Sequence, residues 1–171
     1  MGETVRTELR PGDIAAIVRL HGVLYDREHG FDVRFEAHVA EPLGKAVRCG
    51  LTDRERIWLV EHDGALVGTI AIVGEAPDTA QLRWFLVAPE ARGKGLGGRL
   101  LDQAIAFSRH AGYHKIMLWT VSALTDAARL YRKAGFRKVE EHPGRPWGRD
   151  VVEEKYEMVV ADIGIRRRTG S

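Results

Sequence analysis

A glycine-rich, basic segment lies between an apolar run and an amphipathic run, and its residue types can bind phosphate. It spans residues 92–98, reads RGKGLGG, and is flanked by QLRWFLVAPEA and RLLDQAIAFSRH. A loop of this kind at the start of a helix leaves backbone N–H groups unpaired at the positive end of the helix dipole. Such groups bind phosphate or pyrophosphate, and Arg92, Lys94 and Arg99 add positive charge. The segment therefore predicts a site for a phosphorylated cofactor.

Two common phosphate-binding motifs do not fit this loop. A Walker-type loop needs a lysine followed by serine or threonine, whereas Gly95 follows Lys94. A dinucleotide-binding fold needs an acidic residue at the end of the next strand to hold the ribose, and the next apolar run, KIMLWTVS, has none. The remaining pattern is Arg-x-x-Gly-x-Gly, filled by Arg92, Gly95 and Gly97.

A second motif lies downstream, where a predicted helix carries Leu130-Tyr131 and is followed by Gly135-Phe136 at the start of a strand. With both motifs in this order, and a strand between them, the sequence closely resembles the GNAT superfamily of acyl-CoA-dependent N-acyltransferases over residues 5–160. Three segments, LYDREHGFD, LRWFLVAPEARGKGLG and LWTVSALTDAARLYRKAGF, are most similar to acetyltransferase domains that elsewhere are fused to MarR-type regulators. The chain begins almost at once with the family's first strand, so we expect no such regulator within it.

Length and composition indicate an ordinary globular domain. The chain has 171 residues, of which 44% are hydrophobic and 29% charged, and no apolar run approaches the length of a membrane span. Cys49 is the only cysteine; we expect a packed thiol, and a single cysteine fits a reducing cytoplasm. The net charge of +2 comes with no basic stripe interleaved with aromatics, so we expect neither a nucleic-acid nor a membrane partner. We expect one domain over residues 1–160 and a basic, flexible tail over residues 161–171.

Turn signals and hydrophobic periodicity predict the elements that position these motifs. Helices are predicted at residues 14–29, 33–47, 97–110 and 125–134, and strands at residues 5–9, 56–61, 66–73, 81–87, 115–120, 136–141 and 151–160, with a loop at 142–150. Asp13 is the expected N-cap of the first helix, Pro42 predicts a kink or early end in the second, and Asp63-Gly64 predicts a hairpin turn. With the resemblance, this order predicts an α/β fold with a mixed, mostly antiparallel sheet of about seven strands flanked by about four helices. The strands that bracket the glycine-loop helix should be the parallel pair.

The resemblance implies which residues hold the cosubstrate, acetyl-CoA. The glycine loop would bind its pyrophosphate, and the strand before the loop would pair its backbone with the pantetheine arm. The implied residues are Phe85, Leu86, Val87, Arg92, Gly93, Lys94, Gly95, Leu96, Gly97 and Gly98. Tyr131 matches the family tyrosine that acts as general acid toward the leaving thiolate. A phenol, with a pKa of about 10, stays protonated at neutral pH.

Two positions depart from the family pattern. Gln81 stands where many members carry a glutamate that deprotonates the amine, and Leu124 stands where many carry an asparagine that contacts pantetheine. The sequence therefore assigns no general base, and we expect no metal site. We expect the acceptor side to be lined by Asp26, Glu28, His29, Gln81 and Trp119. Arg145 and Arg149 are candidates for binding an acceptor carboxylate.

The function that these features predict is N-acetyl transfer. The acetyl group of acetyl-CoA would pass by direct attack to a primary amine of a small molecule or a peptide. The absent glutamate and asparagine motivate an alternative, a non-catalytic acetyl-CoA-binding sensor or regulatory interaction module. Family likeness also makes a homodimer an expectation.

Overall fold

A computed structural model describes residues 2–160, which form a seven-stranded sheet with helices packed on both faces. The helices are α1 (Asp13–His29), α2 (Val33–Cys49), α3 (Leu96–His110) and α4 (Thr125–Ala134). The strands are β1 (Thr4–Arg6), β2 (Arg56–His62), β3 (Ala65–Ala76), β4 (Thr79–Val87), β5 (Lys115–Val121), β6 (Arg137–Gly144) and β7 (Val151–Val159). Their order is β1-β2-β3-β4-β5-β7-β6, and in this part of the chain only β4 and β5 pair in parallel. The predicted fold class is confirmed, including the position of the parallel pair.

Two hydrophobic cores lie on opposite faces of the sheet. Successive side chains of a strand point to opposite faces, so in β2 the residues Trp58 and Val60 enter one core while Ile57 and Leu59 enter the other. The first core packs under α3 and α4, and the second packs under α1 and α2. The two helix pairs are therefore held on either side of the central strands.

The turn between β2 and β3 forms as the sequence predicts. Asp63 and Gly64 have positive φ angles of 50° and 78°, the conformation that a two-residue hairpin turn of type I′ requires. The pair therefore sets the register of the first hairpin.

The ends and interiors of α1 and α2 differ from the sequence predictions. Gly12, with φ 98°, is the N-cap of α1, and the Asp13 carboxylate accepts hydrogen bonds from the Arg6 guanidinium and the backbone N–H of Arg10. The ion pair with Arg6 takes the carboxylate away from the capping role. The second helix neither kinks nor ends at Pro42 and continues to Cys49. Packing of the apolar face of α2 outweighs the backbone hydrogen bond that proline removes.

Two further predictions are corrected near β6 and at the end of α2. The predicted loop at residues 142–150 is shorter, because β6 continues to Gly144 and pairs with Val151 of β7. Pro143 is compatible with this strand, since an edge strand leaves one side without hydrogen bonds. Cys49 is exposed rather than packed. The predicted tail at residues 161–171 lies outside the described residues.

The sheet opens between its two central strands. Within the described chain, β4 and β5 pair only through Thr79–Gln81 and Lys115–Met117. Further along β4 a bulge sets Trp84 and Phe85 against a single residue of β3, and Trp84 takes a φ of 47°. A bulge bends its strand and increases the local twist. The remainder of β4 therefore presents a free backbone edge toward β5.

Candidate active site

A cavity of about 700 Å³ occupies the gap between β4 and β5. It reaches from the glycine loop and the start of α3, along the free edge of β4, to the side chains of α1 and α2. Most of the residues that the sequence singles out line it: Glu28, His29, Gln81, Phe85, Leu86, Val87, Arg92, Gly93, Gly95, Leu96, Gly97, Gly98, Trp119 and Tyr131. The predicted cosubstrate and acceptor residues thus lie around one cavity.

Four predicted site residues do not line this cavity: Asp26, Lys94, Arg145 and Arg149. The lining residues of α1 are His21, Tyr25, Glu28 and His29, a spacing that places them on one face of the helix. Asp26 lies off that face and is exposed. Lys94 is also exposed, and its carbonyl oxygen accepts a hydrogen bond from the Arg99 guanidinium.

The glycine loop has the backbone of an anion-binding turn. Gly93 and Gly95 adopt positive φ angles of 78° and 76°, and Gly95 is the N-cap of α3. Side chains are strained in that region, so both positions require glycine. The first turn of α3 also has no acidic residue, which leaves its unpaired N–H groups and positive dipole end free of local neutralisation.

Gly97 and Gly98 lack side chains for different reasons. A Cβ at Gly97 would lie 3.3 Å from the Leu130 side chain, so close packing of α3 on α4 disfavours a side chain there. A Cβ at Gly98 would meet no protein atom within 4 Å, and its φ angle is not positive. Neither packing nor backbone conformation requires glycine at residue 98, yet this residue lines the cavity. The space beside it fits a ligand phosphate close to the backbone.

Arg92 joins the glycine loop to the acceptor side. Its guanidinium donates to the carbonyl oxygen of Val87 at 2.9 Å and forms an ion pair with Glu28 at 2.8 Å. The Glu28 carboxylate, which the sequence places on the acceptor side, is therefore already engaged by a cation.

Tyr131 lies in the cavity wall and is 5% exposed. Its ring packs against those of Phe85, Phe136 and Tyr156, with centroids 5.8–6.1 Å apart. Burial, together with the nearby hydroxyls of Tyr25 and Tyr156, raises the pKa of Tyr131 well above its usual range. The phenol is therefore protonated throughout the physiological range and can donate a hydrogen bond into the cavity.

Several residues on the acceptor side were not found from the sequence. They are His21, Tyr25, Phe31, Phe35, His38, Arg83, Trp84 and Glu153. The ring centroids of Tyr25 and Phe35 are 4.3 Å apart, and those of Phe31 and Trp147 are 5.1 Å apart. These residues come from α1, α2, the connection between them, β4 and β7, so no local pattern marks them. Burial raises the pKa of Tyr25 to about 12, and its hydroxyl therefore also stays protonated.

His21 is a buried, neutral imidazole in the same wall. Its Nδ1 donates to the carbonyl oxygen of Ile17 at 2.8 Å, because a carbonyl can only accept, and its Nε2 therefore carries no proton. Burial lowers the pKa of His21 to about 4.

Acidification should destabilise the fold through His21. Between the unfolded pKa of about 6.5 and the folded value of about 4, the unfolded chain binds a proton that the folded protein excludes. The free energy of unfolding should therefore fall by up to about 3 kcal/mol as the pH drops through this interval. Denaturant unfolding from pH 7 to 4 measures the fall. A His21→Asn variant, which keeps a donor to Ile17, should show a smaller fall, and an equal fall in both proteins would contradict the assignment.

Comparison with known proteins places this fold and site in one family. Residues 23–136 match the acetyltransferase (GNAT) family, and the chain belongs to that family. It is 31% identical over 125 residues to an uncharacterized N-acetyltransferase of Schizosaccharomyces pombe, covering 71% of this chain and 76% of the relative. It is also 31% identical over 86 residues to the uncharacterized N-acetyltransferase YjgM of Escherichia coli, covering 48% of this chain and 52% of YjgM. The protein is thus an acetyl-CoA-dependent N-acetyltransferase.

Solved structures share the fold at low sequence identity. An acetyltransferase of the GNAT family from Staphylococcus aureus Mu50 superposes with a TM-score of 0.75 at 18% identity, covering 94% of this chain and all of that one. The Salmonella typhimurium protein yncA, solved with its cofactor acetyl-CoA, has a TM-score of 0.70 at 20% identity and covers 96% of this chain and 97% of its own. In the described residues no helix is long and apolar enough to cross a bilayer. The similarity to domains fused to MarR-type regulators stays a prediction.

Proposed function

We propose that this enzyme binds acetyl-CoA across the glycine loop and the free edge of β4, and transfers the acetyl group to a primary amine of a small molecule or peptide. The observation that carries the proposal is a single cavity, bounded by the loop, the open β4 edge and a buried, protonated Tyr131. The vacant space beside Gly98 supports pyrophosphate binding there. The amine enters from the side lined by α1, α2 and Trp119.

Each requirement of acyl transfer has a candidate group in this cavity. Backbone N–H groups of residues 85–87 hold the pantetheine arm and polarise the thioester carbonyl. The amine nitrogen forms the new C–N bond as the C–S bond breaks. Tyr131 donates its phenolic proton, or a hydrogen bond, to the leaving sulfur, and regains a proton from solvent.

The amine loses its proton without a dedicated carboxylate at residue 81. Gln81 has no basic group in its side chain, and the Glu28 carboxylate is neutralised by Arg92. We propose that water in the cavity accepts the proton, so the reaction selects amines that arrive neutral. The rate should then rise with pH toward the pKa of the acceptor amine.

A coenzyme A release assay over a panel of primary amines tests the proposal against the sensor alternative. The enzyme should release free thiol from acetyl-CoA only when an accepted amine is present, with formation of the N-acetylated amine by mass spectrometry. Tight acetyl-CoA binding by calorimetry without thiol release for any amine would instead support a binding module. The homodimer and the cytoplasmic location stay predictions.

A further inference from the structure

Arg83 is a half-buried cation of the cavity with no carboxylate partner in the described part of the chain. Its closest polar contact is the side-chain oxygen of Gln81, at 3.4 Å, the outer limit of a hydrogen bond. Its guanidinium also stacks on the Trp84 ring, 5.3 Å from the centroid. By contrast Arg6, whose side chain is 16% exposed, has carboxylates of Asp13 and Glu61 each at 2.7 Å.

Burial without a partner makes this cation costly. Burial lowers the pKa of Arg83, and only the charge of Glu75 opposes that effect. An arginine keeps its charge under these conditions, so a desolvated positive charge faces the cavity in the free enzyme. Buried charges in proteins are normally paired. An anionic group of a ligand would supply the missing partner.

A second donor without a partner lies next to Arg83. The indole Nε1 of Trp84 is buried and has no hydrogen-bond acceptor in residues 2–160. Trp84 lines the same cavity and is 7% exposed. A buried N–H group without an acceptor is destabilising, but this nitrogen has almost no accessible surface, so the Arg83 guanidinium is the donor that a ligand in the cavity can reach. A carboxylate, with two acceptor oxygens, matches the parallel N–H groups of the Arg83 guanidinium.

Arg83 lies on the acceptor side of the cavity, away from the loop proposed to bind acetyl-CoA. Arg83 immediately precedes the β4 bulge, and it influences the pKa of His38, a residue of α2. The glycine loop lies beyond the opposite end of the free β4 edge. Arg145 and Arg149, the arginines considered from the sequence, do not line the cavity, and Arg145 is exposed and paired with Asp150.

Aromatic side chains form much of the acceptor side, beside the polar groups of His38 and Glu153. Phe31, Phe35 and Trp147 are buried there, and Tyr25 closes the wall toward Tyr131. Such a wall favours an apolar substituent over a charged one. The charge of Arg83 also opposes a second cationic group on the acceptor.

We propose that the acceptor is a primary amine that also carries a carboxylate, of the amino-acid class with an apolar side chain, and that Arg83 binds this carboxylate. The inference rests on the proposed acetyl transfer and specifies its substrate class. Arg83 is a specificity-determining residue in this scheme. The bidentate geometry of a guanidinium with a carboxylate fixes where the amine lies relative to the thioester.

Matched pairs of acceptors test the proposal, each an amino acid and its carboxamide. The carboxamide keeps the size and the amine but removes the negative charge. With wild-type enzyme, leucine and phenylalanine should each exceed their carboxamides in kcat/KM by about 10-fold or more. They should also exceed lysine and aspartate, because the wall is apolar.

Variants of Arg83 separate carboxylate binding from a general effect on the enzyme. Arg83→Gln should lower kcat/KM for the amino acids by about 10-fold or more, mainly through KM, and leave the carboxamides within about 3-fold. Arg83→Lys keeps the charge but loses the bidentate guanidinium, so its kcat/KM for the amino acids should lie between those of wild type and Arg83→Gln. The control Arg145→Gln should match wild type. Thermal unfolding and acetyl-CoA affinity check that each variant is folded and loaded.

The possible failures are distinguishable. Turnover of amines with no preference for the carboxylate, or an equal loss on both members of each pair in Arg83→Gln, overturns this inference and leaves acetyl transfer intact. A preference for lysine or aspartate overturns the apolar side-chain assignment. Absence of turnover with every amine, despite acetyl-CoA binding, overturns both proposals.

Discussion

Replacing Tyr131 with phenylalanine is expected to lower kcat by about 100-fold or more, the usual contribution of a positioned general acid. The variant keeps the buried ring and its packing against Phe85, Phe136 and Tyr156, and removes only the hydroxyl. The departing thiolate then has no protonated phenol beside it. Steady-state rates of thiol release, with an accepted amine at saturation, measure the change.

A matched control for this variant is Tyr113→Phe. Tyr113 is as buried as Tyr131, at 5% exposure, but it lies outside the cavity and donates to the carbonyl oxygen of Arg54. Loss of the Tyr113 hydroxyl should lower the free energy of unfolding by about 1 kcal/mol and leave kcat unchanged. If Tyr131→Phe kept kcat within about 3-fold of wild type, the general-acid role would be wrong, and Tyr25→Phe would test the neighbouring hydroxyl.

The effect of Tyr131→Phe should also be independent of pH. Burial raises the pKa of Tyr131, so the acid form is not lost as the pH rises through the neutral and mildly alkaline range. The ratio of wild-type to variant kcat should therefore be constant from pH 6 to about 9, because an ordinary phenol titrates only near 10. A ratio that falls toward 1 above pH 8 would mean that the proton donor has a much lower pKa than the burial of Tyr131 implies.

Replacing Gly98 with valine is expected to weaken acetyl-CoA binding by about 100-fold, because overpacking a close-fitting site costs up to about 3 kcal/mol. The branched side chain would occupy the space beside the first turn of α3 that no protein atom fills. The fold should tolerate the change, since glycine is the poorer helix former of the two. Titration calorimetry with acetyl-CoA and thermal unfolding measure the two quantities separately.

Gly44 provides the control for this substitution. It lies inside α2, a Cβ there would also meet nothing within 4 Å, and it does not line the cavity. Gly44→Val should therefore leave both acetyl-CoA affinity and the melting temperature close to wild type. If Gly98→Val bound acetyl-CoA as tightly as Gly44→Val, the pyrophosphate would not approach α3 at residue 98.

Features that depend on neighbours in the chain could be predicted from the sequence. Positive φ angles select glycine, so Asp63-Gly64 marked its hairpin and Gly93 and Gly95 marked a loop that opens a helix. Hydrophobic periodicity marked the elements and their type, because it reports which face of each helix or strand meets a core. The predicted bounds were less accurate where pairing across strands decided them, as in the extension of β6 to Gly144.

Features that depend on distant segments could not be predicted in this way. Whether Asp13 caps α1 depends on Arg6, and Arg6 is held by Glu61, 55 residues away, because β1 pairs with β2. Glu28 was expected to be available to an acceptor, yet it pairs with Arg92, 64 residues away. Each of these side chains changes role through a partner that no local pattern names.

The amino-acid sequence by itself determined the class of fold and the glycine loop with its expected pyrophosphate site, because backbone conformation and periodicity are set by residues close in the chain. The expected role of Tyr131 came from the resemblance to the GNAT family. Only the tertiary structure decided what faces the acceptor. The bulge at Trp84 and the divergence of β4 from β5 bring Arg83, Tyr25 and Trp147 to one cavity. Burial there changes their chemistry, and burial is a property of the packed chain rather than of any segment.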